Sequence, residues 1–241
     1  MIKPSVAGSI SYAGYRFPPE VISYAVWLYF RFPLSLRMVE EMLAARSIEV
    51  TYETVRQWAL RFGQKAAKRI RARVSIFGDK WHLDEVVITI KGKKHWLWRG
   101  VDQNGYVLDV LVQSRRNTQA AERLMRKLLR KHGRTPRVMI TDKLKSYAAA
   151  NRRLGLKFEH RQHKGLNNRA ENSHQPTRVR EKVMRRFKSA CQLQRFLSVH
   201  DQVANQFIGC RYNCDAKQKR ELRTQAFAAW NEVTYAQMAA V

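Results

Sequence analysis

The sequence predicts an α/β protein in which an all-helical N-terminal domain precedes a domain built on a mixed β-sheet. Apolar residues recur at helical spacing from about residue 18 to about residue 63. Three segments rich in β-branched and aromatic residues follow: WHLDEVVITI, KHWLWRGVD and GYVLDVLVQS. Short apolar strands then alternate with amphipathic helices, an order that is typical of a sheet covered by helices.

The first helix is predicted from its proline and acidic residues. Residues 1–17 show no apolar period, so we expect a flexible or loosely docked arm there. FPPEV then begins a helix, because a proline in the first turn loses no hydrogen bond that the helix needs. Glu20 lies near the positive end of the helix dipole, and Pro33 ends the helix after about residue 31.

Two further amphipathic helices, separated by a tight turn, predict a helix-turn-helix. The first has one apolar face, formed by Leu36, Val39, Met42 and Leu43. Thr51 caps the second, whose apolar stripe is Val55, Trp58, Ala59 and Phe62. The second helix also has side chains suited to base edges and phosphates: Tyr52, Arg56, Gln57 and Arg61. An ordinary three-helix bundle would show the same periodicity and remains the alternative.

The charge of the chain points to a polyanionic partner. It carries 46 Lys and Arg against 19 Asp and Glu, for a net charge of +27. Such a surplus favours nucleic acid over an acidic membrane surface. The most apolar run, residues 21–32, is interrupted by Arg31 and is shorter than the roughly 18 to 20 residues of a membrane span. With no signal-peptide pattern and three cysteines, the sequence predicts a cytoplasmic protein without a disulfide framework.

Two histidines and two cysteines have the right number and type for a tetrahedral zinc site: His160, His163, Cys210 and Cys214. The cysteine pair lies in a turn-like segment, CRYNC, and nothing in the sequence joins it to the histidine pair. Ordinary buried or surface thiols are therefore the favoured interpretation.

The mixed-sheet domain is predicted from its turns and its alternation of strands and helices. KGKK and QNG form hairpin turns between the first three strands. A helix over residues 118–132, the strand VMIT, the helix KLKSYAAANRRL and a short strand in KFEHR follow. This order matches an RNase H-like core. We place the arm at residues 1–17, the helix-turn-helix domain at 18–75, the RNase H-like domain at 76–215 and a helical tail at 216–241.

Three acidic residues stand out by position. Asp84 lies inside the first strand, where a polar side chain among apolar ones is costly unless it has a function. Asp142 ends the strand VMIT, where side chains emerge at the edge of an open sheet. Glu171 begins the last helical region. Each has a structural alternative: an ion pair for Asp84 or Glu171, and a helix cap for Asp142.

Taken together, the three acids predict a metal centre. Asp84 and Asp142 can lie side by side on neighbouring strands, and a helix packed across them can bring Glu171 to the same place. Converging carboxylates repel one another, so such a cluster requires divalent cations, and oxygen ligands select Mg²⁺ or Mn²⁺. Two ions roughly 4 Å apart would activate a nucleophile and stabilise the leaving oxygen of a phosphodiester. The polyanionic partner would then also be the substrate.

Three segments carry a family resemblance: WHLDEVVI, VMITDKLKSY and NNRAENSHQPTRVREKVMRRFKS, in this order after GYRFPPEVISYAVWLYFRFPLSLRMVEEML. The chain resembles bacterial insertion-sequence DDE transposases, and most of all the small single-frame family that forms cointegrates. The resemblance runs from about residue 14 to the C-terminal helices. It implies an RNase H-like catalytic domain in which Asp84, Asp142 and Glu171 bind two Mg²⁺ ions. It also implies that Arg178 is the basic residue that binds a phosphate two helical turns beyond the glutamate.

Pro176 limits this transfer of roles. It follows Glu171 by five residues, so a straight helix over residues 168–188 is not expected. A kink there decides whether Arg178 reaches the site. Arg185 and Arg186 belong to the same basic stretch and are expected to contact the DNA backbone.

Four other acidic residues are weighed against the three. Glu181 lies on roughly the same helical face as Glu171 and stays an alternative third ligand. Asp102 precedes a turn and Asp109 alternates within the third strand. Glu85 adjoins Asp84 but points to the opposite face of the strand. The last three are therefore not expected to bind metal.

The favoured function is a DNA transposase. Its N-terminal helices would recognise the terminal inverted repeats, metal-activated water would cleave the 3′ ends, and the freed 3′-OH groups would attack target DNA to give a cointegrate. Joining two ends to one target requires at least a dimer. A helix-turn-helix regulator without catalysis is one alternative, although it leaves the three acids unexplained. A metal-dependent DNA nuclease that does not transfer strands is the other.

Overall fold

The computed structural model describes residues 10–73, 77–210 and 215–235 of the chain. Residues 1–9 of the predicted arm and 236–241 of the predicted tail lie outside this part. The chain divides into two compact units, one drawn from residues 1–75 and 198–241 and the other from residues 76–197. These units reflect which residues pack together and do not define functional domains. The four predicted domains therefore stay predictions.

The helices and strands follow the predicted order, which is thereby confirmed. In chain order they are α1 (Pro19–Arg31), α2 (Leu36–Ala44), α3 (Tyr52–Arg73), β1 (Lys80–Ile90), β2 (Lys93–Asp102), β3 (Val107–Gln113), α4 (Thr118–His132), β4 (Val138–Thr141), α5 (Lys145–Leu154), β5 (Glu159–Gln162), α6 (Asn168–Ser173), α7 (Gln175–Val183), α8 (Ala190–Asn205) and α9 (Ala216–Thr234). In the described part of the chain, no helix has both the length and the apolar character needed to cross a membrane.

In the helical unit, α2 and α3 form the predicted pair of helices. Ser35 caps α2 by accepting a hydrogen bond from the Met38 backbone N–H, and Thr51 caps α3 in the same way. Val39 and Leu43 are wholly buried. Met42, predicted on the same apolar face, is exposed.

The segment before α1 is held by aromatic contacts. Tyr12 stacks on Phe62 of α3 with ring centroids 4.6 Å apart, and Phe17 meets Trp58 edge to face. Ile10 and Tyr12 are buried. Residues 10–17 therefore dock on α3 through their aromatic side chains, and their assignment to a separate arm stays a prediction.

The last helix, α9, completes the core of the same unit. Trp230 Nε1 donates to Ser23 Oγ of α1 at 3.1 Å, and Ser23 Oγ donates to Thr234 Oγ1 at 3.0 Å. Tyr12 Oη donates to the carbonyl of Thr234 at 3.0 Å. These buried hydrogen bonds join residues more than 200 positions apart in sequence, so no local pattern reveals them.

The other unit contains a five-stranded sheet in the order β3-β2-β1-β4-β5. β1, β2 and β3 form an antiparallel meander, whereas β4 and β5 run parallel to β1. α4 and α5 cover one face around a core that includes Trp81, Leu83, Trp98 and Tyr147. The meander followed by parallel strands with helical connections is an RNase H-like sheet, as the sequence predicts.

Candidate active site

The structure brings Asp84 and Asp142 together. In the parallel pairing of β1 with β4, Leu83 lies opposite Thr141, the last residue of β4. Asp84 is the next residue of β1, and Asp142 is the first residue after β4. Their side chains are 14% and 26% exposed. Burial and the nearby carboxylate of Asp142 raise the pKa of Asp84 to about 6. The pair is thus a desolvated site of concentrated negative charge.

Asp142 is held by the turn that follows β4. Its Oδ1 accepts a hydrogen bond from the Leu144 backbone N–H at 3.0 Å. The first residue of α5 is Lys145, and the cap residue Leu144 contributes no side-chain hydrogen bond. Asp142 therefore orders the turn before α5, and its second oxygen, Oδ2, lies 3.7 Å from Arg116 Nη2.

The helical region that carries Glu171 is broken, as predicted from Pro176. α6 ends at Ser173, His174 interrupts the helix, and α7 begins at Gln175 with Pro176 in its first turn. A proline is accepted at that position because its missing N–H would have no helical partner there. Glu171 and Arg178 therefore lie on separate helices.

α6 packs against β1 and β2 and is fixed there at both ends. At its start, Asn167 Nδ2 donates to the carbonyl of Leu83 in β1 at 2.9 Å. At its end, the buried Arg99 of β2 donates from Nη1 to the carbonyl of Ser173 at 2.5 Å and from Nη2 to Thr177 Oγ1 at 2.9 Å. These contacts place the helix of Glu171 on the strand that carries the first aspartate.

The face of the sheet beneath α6 is the one that presents Asp84. Arg99 lies directly opposite Asp84 in the antiparallel register, and such pairs share a face. His174 Nε2, from the break between α6 and α7, lies 3.3 Å from Asp84 Oδ2. The docked element therefore touches the first aspartate itself.

Glu171 does not join the carboxylate pair in this structure. Its side chain is exposed on α6. Within residues 10–73, 77–210 and 215–235, no group of three or more His, Cys, Asp or Glu side chains is arranged to hold a metal ion. Convergence of Glu171 on the pair stays a prediction.

The donor set of the pair fits a divalent metal ion. Both side chains offer carboxylate oxygens, which hard cations prefer. The raised pKa of Asp84 shows that burial and its neighbour disfavour the ionised form, and a bound cation would reverse that effect. Asp84 and Asp142 are therefore the residues of this site best suited to hold metal.

The predicted basic residues after the break line one cavity. Arg178, Arg185 and Arg186 surround it together with Glu181 and Lys182. Arg178 Nη1 lies 3.1 Å from Glu181 Oε2, so the alternative third ligand is engaged in an ion pair. Arg185 and Arg186 both adopt left-handed backbone angles, with φ of 50° and 70°. This turn carries two adjacent exposed guanidinium groups.

The predicted DNA-reading side chains of α3 are all exposed: Tyr52, Arg56, Gln57 and Arg61. Glu53 organises two of them, because its Oε1 lies 2.6 Å from Arg56 Nη2 and accepts a hydrogen bond from Gln57 Nε2 at 3.3 Å. The arrangement is compatible with recognition of DNA, which stays a prediction for these residues.

Asp102 of β2 and Asp109 of β3, which were not expected to bind metal, have structural roles. Asp102 accepts hydrogen bonds from the backbone N–H groups of Gly78, Asn104 and Tyr106, and so fixes the turn between β2 and β3. Asp109 is buried and pairs with two lysines of α4, Lys127 and Lys131.

The zinc interpretation gains no support from the described residues. His160 Nε2 lies 2.9 Å from Thr141 Oγ1. Cys214 lies outside the described residues. Of the four suggested ligands, His160 therefore already has a protein partner.

Sequence reasoning missed three side chains that organise this site: Arg99, Arg116 and Asn167. Arg99 had a detectable signal, because a charge inside the apolar strand HWLWRGV is as unusual as Asp84 in its own strand. Arg116 and Asn167 lie in polar segments between elements, where composition gives no such contrast.

Known proteins were compared with the chain. A family model described as a DDE domain, of the IS240 transposase type, matches residues 78–209. The chain is 28% identical over 224 residues to the transposase for insertion sequence element IS257 in transposon Tn4003 of Staphylococcus aureus, covering 91% of this chain and 95% of that protein. The transposase for insertion sequence-like element IS431mec of Staphylococcus aureus strain Mu50 is similar to the same extent.

One solved structure is more distantly similar, a simian T-cell lymphotropic virus intasome in complex with PP2A regulatory subunit B56 gamma. The TM-score is 0.41 and the sequence identity 15%. The aligned region covers 69% of this chain and 58% of that chain.

Proposed function

The chain belongs to the bacterial insertion-sequence DDE transposases, and we propose that it binds the inverted-repeat ends of its own element, cleaves their 3′ ends and joins them to target DNA. Membership of this family makes it a DNA-binding enzyme that cleaves and transfers DNA strands and depends on divalent metal. The observation that carries the finer proposal is the placement of Asp84 beside Asp142 at adjoining positions of parallel strands.

In this mechanism Asp84 and Asp142 would hold the metal, and Glu171 would supply the third carboxylate from α6. Two Mg²⁺ ions bound there would activate the attacking oxygen and stabilise the leaving oxygen of the phosphodiester. Asn167 and Arg99 keep α6, the helix of Glu171, on β1 and β2, and this docking supports the assignment of Glu171 as the third ligand.

Two groups of side chains would hold the DNA. The cavity lined by Arg178, Arg185 and Arg186 has the charge to bind backbone phosphates, and the net charge of +27 makes binding strongly dependent on salt. Tyr52, Arg56, Gln57 and Arg61 on α3 would read the inverted repeats: their exposure supports this role.

The reaction proceeds in two in-line displacements at phosphorus. Water attacks first and frees the 3′-OH of each element end; each 3′-OH then attacks a target phosphodiester, with no covalent protein intermediate. Two ends and one target require at least two protomers, and the resemblance to cointegrate-forming transposases suggests a replicative outcome.

One assay separates the three functions under consideration. The purified chain is incubated with a labelled DNA end from the sequence flanking its gene, a target plasmid and Mg²⁺. A transposase converts the label into plasmid-joined products, whereas a nuclease releases shortened end DNA only. A regulator gives a shifted complex without either product. Joining that proceeds in EDTA would contradict the metal mechanism.

A further inference from the structure

A second cluster of charged and polar side chains lies beside the carboxylate pair, formed by Glu85, Arg116 and Tyr147. The side chain of Glu85 is 1% exposed, although it lies in the strand position next to Asp84. Tyr147, wholly buried in α5, donates from Oη to Glu85 Oε2 at 2.8 Å. Arg116 donates to Glu85 Oε1 from Nε at 2.8 Å, and its Nη2 lies 2.6 Å from the same oxygen.

Arg116 extends from this buried anchor to the proposed metal centre. Its Nη2 lies 3.7 Å from Asp142 Oδ2. Its guanidinium also lies over the indole of Trp96, 5.1 Å from the ring centroid. Nevertheless 39% of the Arg116 side chain is exposed. The guanidinium is thus held on several sides next to Asp142, on a side chain that stays partly exposed to solvent.

A fixed cation in this position opposes metal binding unless an anion joins the group. Divalent cations at Asp84 and Asp142 would repel the guanidinium of Arg116, which is held near them by Glu85. A phosphodiester bound at the same centre removes this conflict, because its non-bridging oxygens attract both the metal and the guanidinium. Arginine is well suited to this contact, since its planar group donates parallel hydrogen bonds to phosphate oxygens.

We propose that Arg116 binds a non-bridging oxygen of the reacting DNA phosphate, and that Glu85 and Tyr147 hold its guanidinium in position for this contact. The inference rests on the proposed function, since it requires DNA at the Asp84–Asp142 pair. Negative charge on the phosphate oxygens is stabilised best by donors that are already oriented, and the buried anchor supplies that orientation.

The first test compares two neighbouring arginines in cleavage of the labelled element end. Arg116→Ala should lower kcat on the order of 100-fold, as removal of one oriented donor does elsewhere. Arg115→Ala removes an equal charge from the adjacent exposed position and should stay within about threefold of wild type. Equal kcat values for the two variants would overturn the proposal.

The second test removes the phosphate oxygen instead of the arginine. End DNA carries a methylphosphonate at the reacting position, and its dissociation constant is measured by fluorescence anisotropy in Ca²⁺, which occupies the carboxylates without supporting cleavage. Wild type should bind it about tenfold more weakly than unmodified DNA, because the phosphate loses a charged oxygen. In Arg116→Ala the penalty should be clearly smaller, because the contact to the guanidinium is already absent. If the variant keeps the full tenfold penalty, Arg116 does not touch this oxygen and the proposal is wrong.

Two milder variants keep the test decisive. Where Arg116→Ala does not fold, Arg116→Lys retains the charge beside Glu85 and is put through the same DNA comparison. Tyr147→Phe keeps the buried ring and removes one hydrogen bond to Glu85; kcat should fall roughly fivefold with KM unchanged. An unchanged kcat in Tyr147→Phe would refute the positioning role.

The outcomes also separate this inference from the function on which it rests. If the wild-type chain neither cleaves nor joins the element end, the proposed function fails. If wild type, Arg115→Ala and Arg116→Ala all cleave alike, the function stands and the role of Arg116 alone is rejected.

Discussion

Replacing Asp84 by Asn should stabilise the metal-free protein at neutral pH, even though it removes a proposed metal ligand. Burial and the carboxylate of Asp142 raise the pKa of Asp84 from 3.8 to about 6. At about 1.4 kcal/mol per pKa unit, the shift corresponds to roughly 3 kcal/mol of destabilisation when the group is ionised. Asn keeps the shape of the side chain and cannot ionise, so it does not incur this cost.

The sign of the effect sets its pH window. Below pH 3.8 Asp84 is protonated in both the folded and the unfolded chain. Between pH 3.8 and about 6 the unfolded chain releases the proton and the folded chain retains it, so the free energy of unfolding of the wild type falls as pH rises. Above about pH 6 Asp84 is ionised in the folded chain as well, and the free energy of unfolding falls no further from this group. The free energy of unfolding of Asp84→Asn minus that of wild type should therefore grow by roughly 2 kcal/mol from pH 4 to pH 7.

Urea denaturation in EDTA, followed by tryptophan fluorescence at each pH, measures this difference. Asp109→Asn is the matched control, because its titration has the opposite sign. Although burial opposes them, Lys131 and Lys127 hold the pKa of Asp109 below its usual value. That variant should be less stable than wild type at pH 7, with a gap that narrows on acidification. If the difference in unfolding free energy between Asp84→Asn and wild type does not change with pH, ionised Asp84 does not destabilise the folded chain and the reasoning is refuted.

Three further substitutions test other parts of the structure. Glu171→Gln should lower strand transfer roughly 100-fold or more while end binding persists, measured with labelled ends; substantial residual activity would point to Glu181 as the third ligand. Arg99→Met should cost about 3 kcal/mol in urea denaturation, because it removes the buried hydrogen bonds to Ser173 and Thr177, and Thr177→Val should cost about 1; equal costs would contradict the docking role of Arg99. Gln57→Ala should reduce the preference for end DNA over random DNA roughly tenfold, whereas Lys68→Ala should weaken binding to both alike. Loss of affinity without loss of preference in Gln57→Ala would remove this residue from the reading surface.

The elements of the sheet unit could be predicted because their signals are local. The helix over residues 118–132 is observed with these limits, since Asn117 caps its start and Gly133 ends it with φ of 64°. The break before α7 follows from Pro176 alone. The neighbouring placement of Asp84 and Asp142 follows from the parallel pairing of two strands, each of which was recognisable by composition.

The features that could not be predicted depend on contacts between distant segments. The role of α9 in the helical unit could not be predicted from its own sequence. Trp230 and Thr234 form hydrogen bonds with Ser23 of α1, and Thr234 also with Tyr12, which precedes α1. The face of Glu85 was predicted from strand alternation, but its partner comes from the loop before α4. Glu171 stays a predicted ligand, because a carboxylate approaches two others only where a cation compensates their repulsion.

The central claim is that Asp84, Asp142 and Glu171 form one metal centre. Titration of Mn²⁺ into the full-length chain bound to end DNA, followed by calorimetry, tests it most directly, with Asp109→Asn as a control for an acid that binds lysines. The account predicts that Asp84→Asn, Asp142→Asn and Glu171→Gln each weaken Mn²⁺ binding by about tenfold or more, and that Asp109→Asn does not. Binding of wild-type strength in Asp84→Asn or Asp142→Asn would contradict the metal centre, and in Glu171→Gln it would contradict the third ligand.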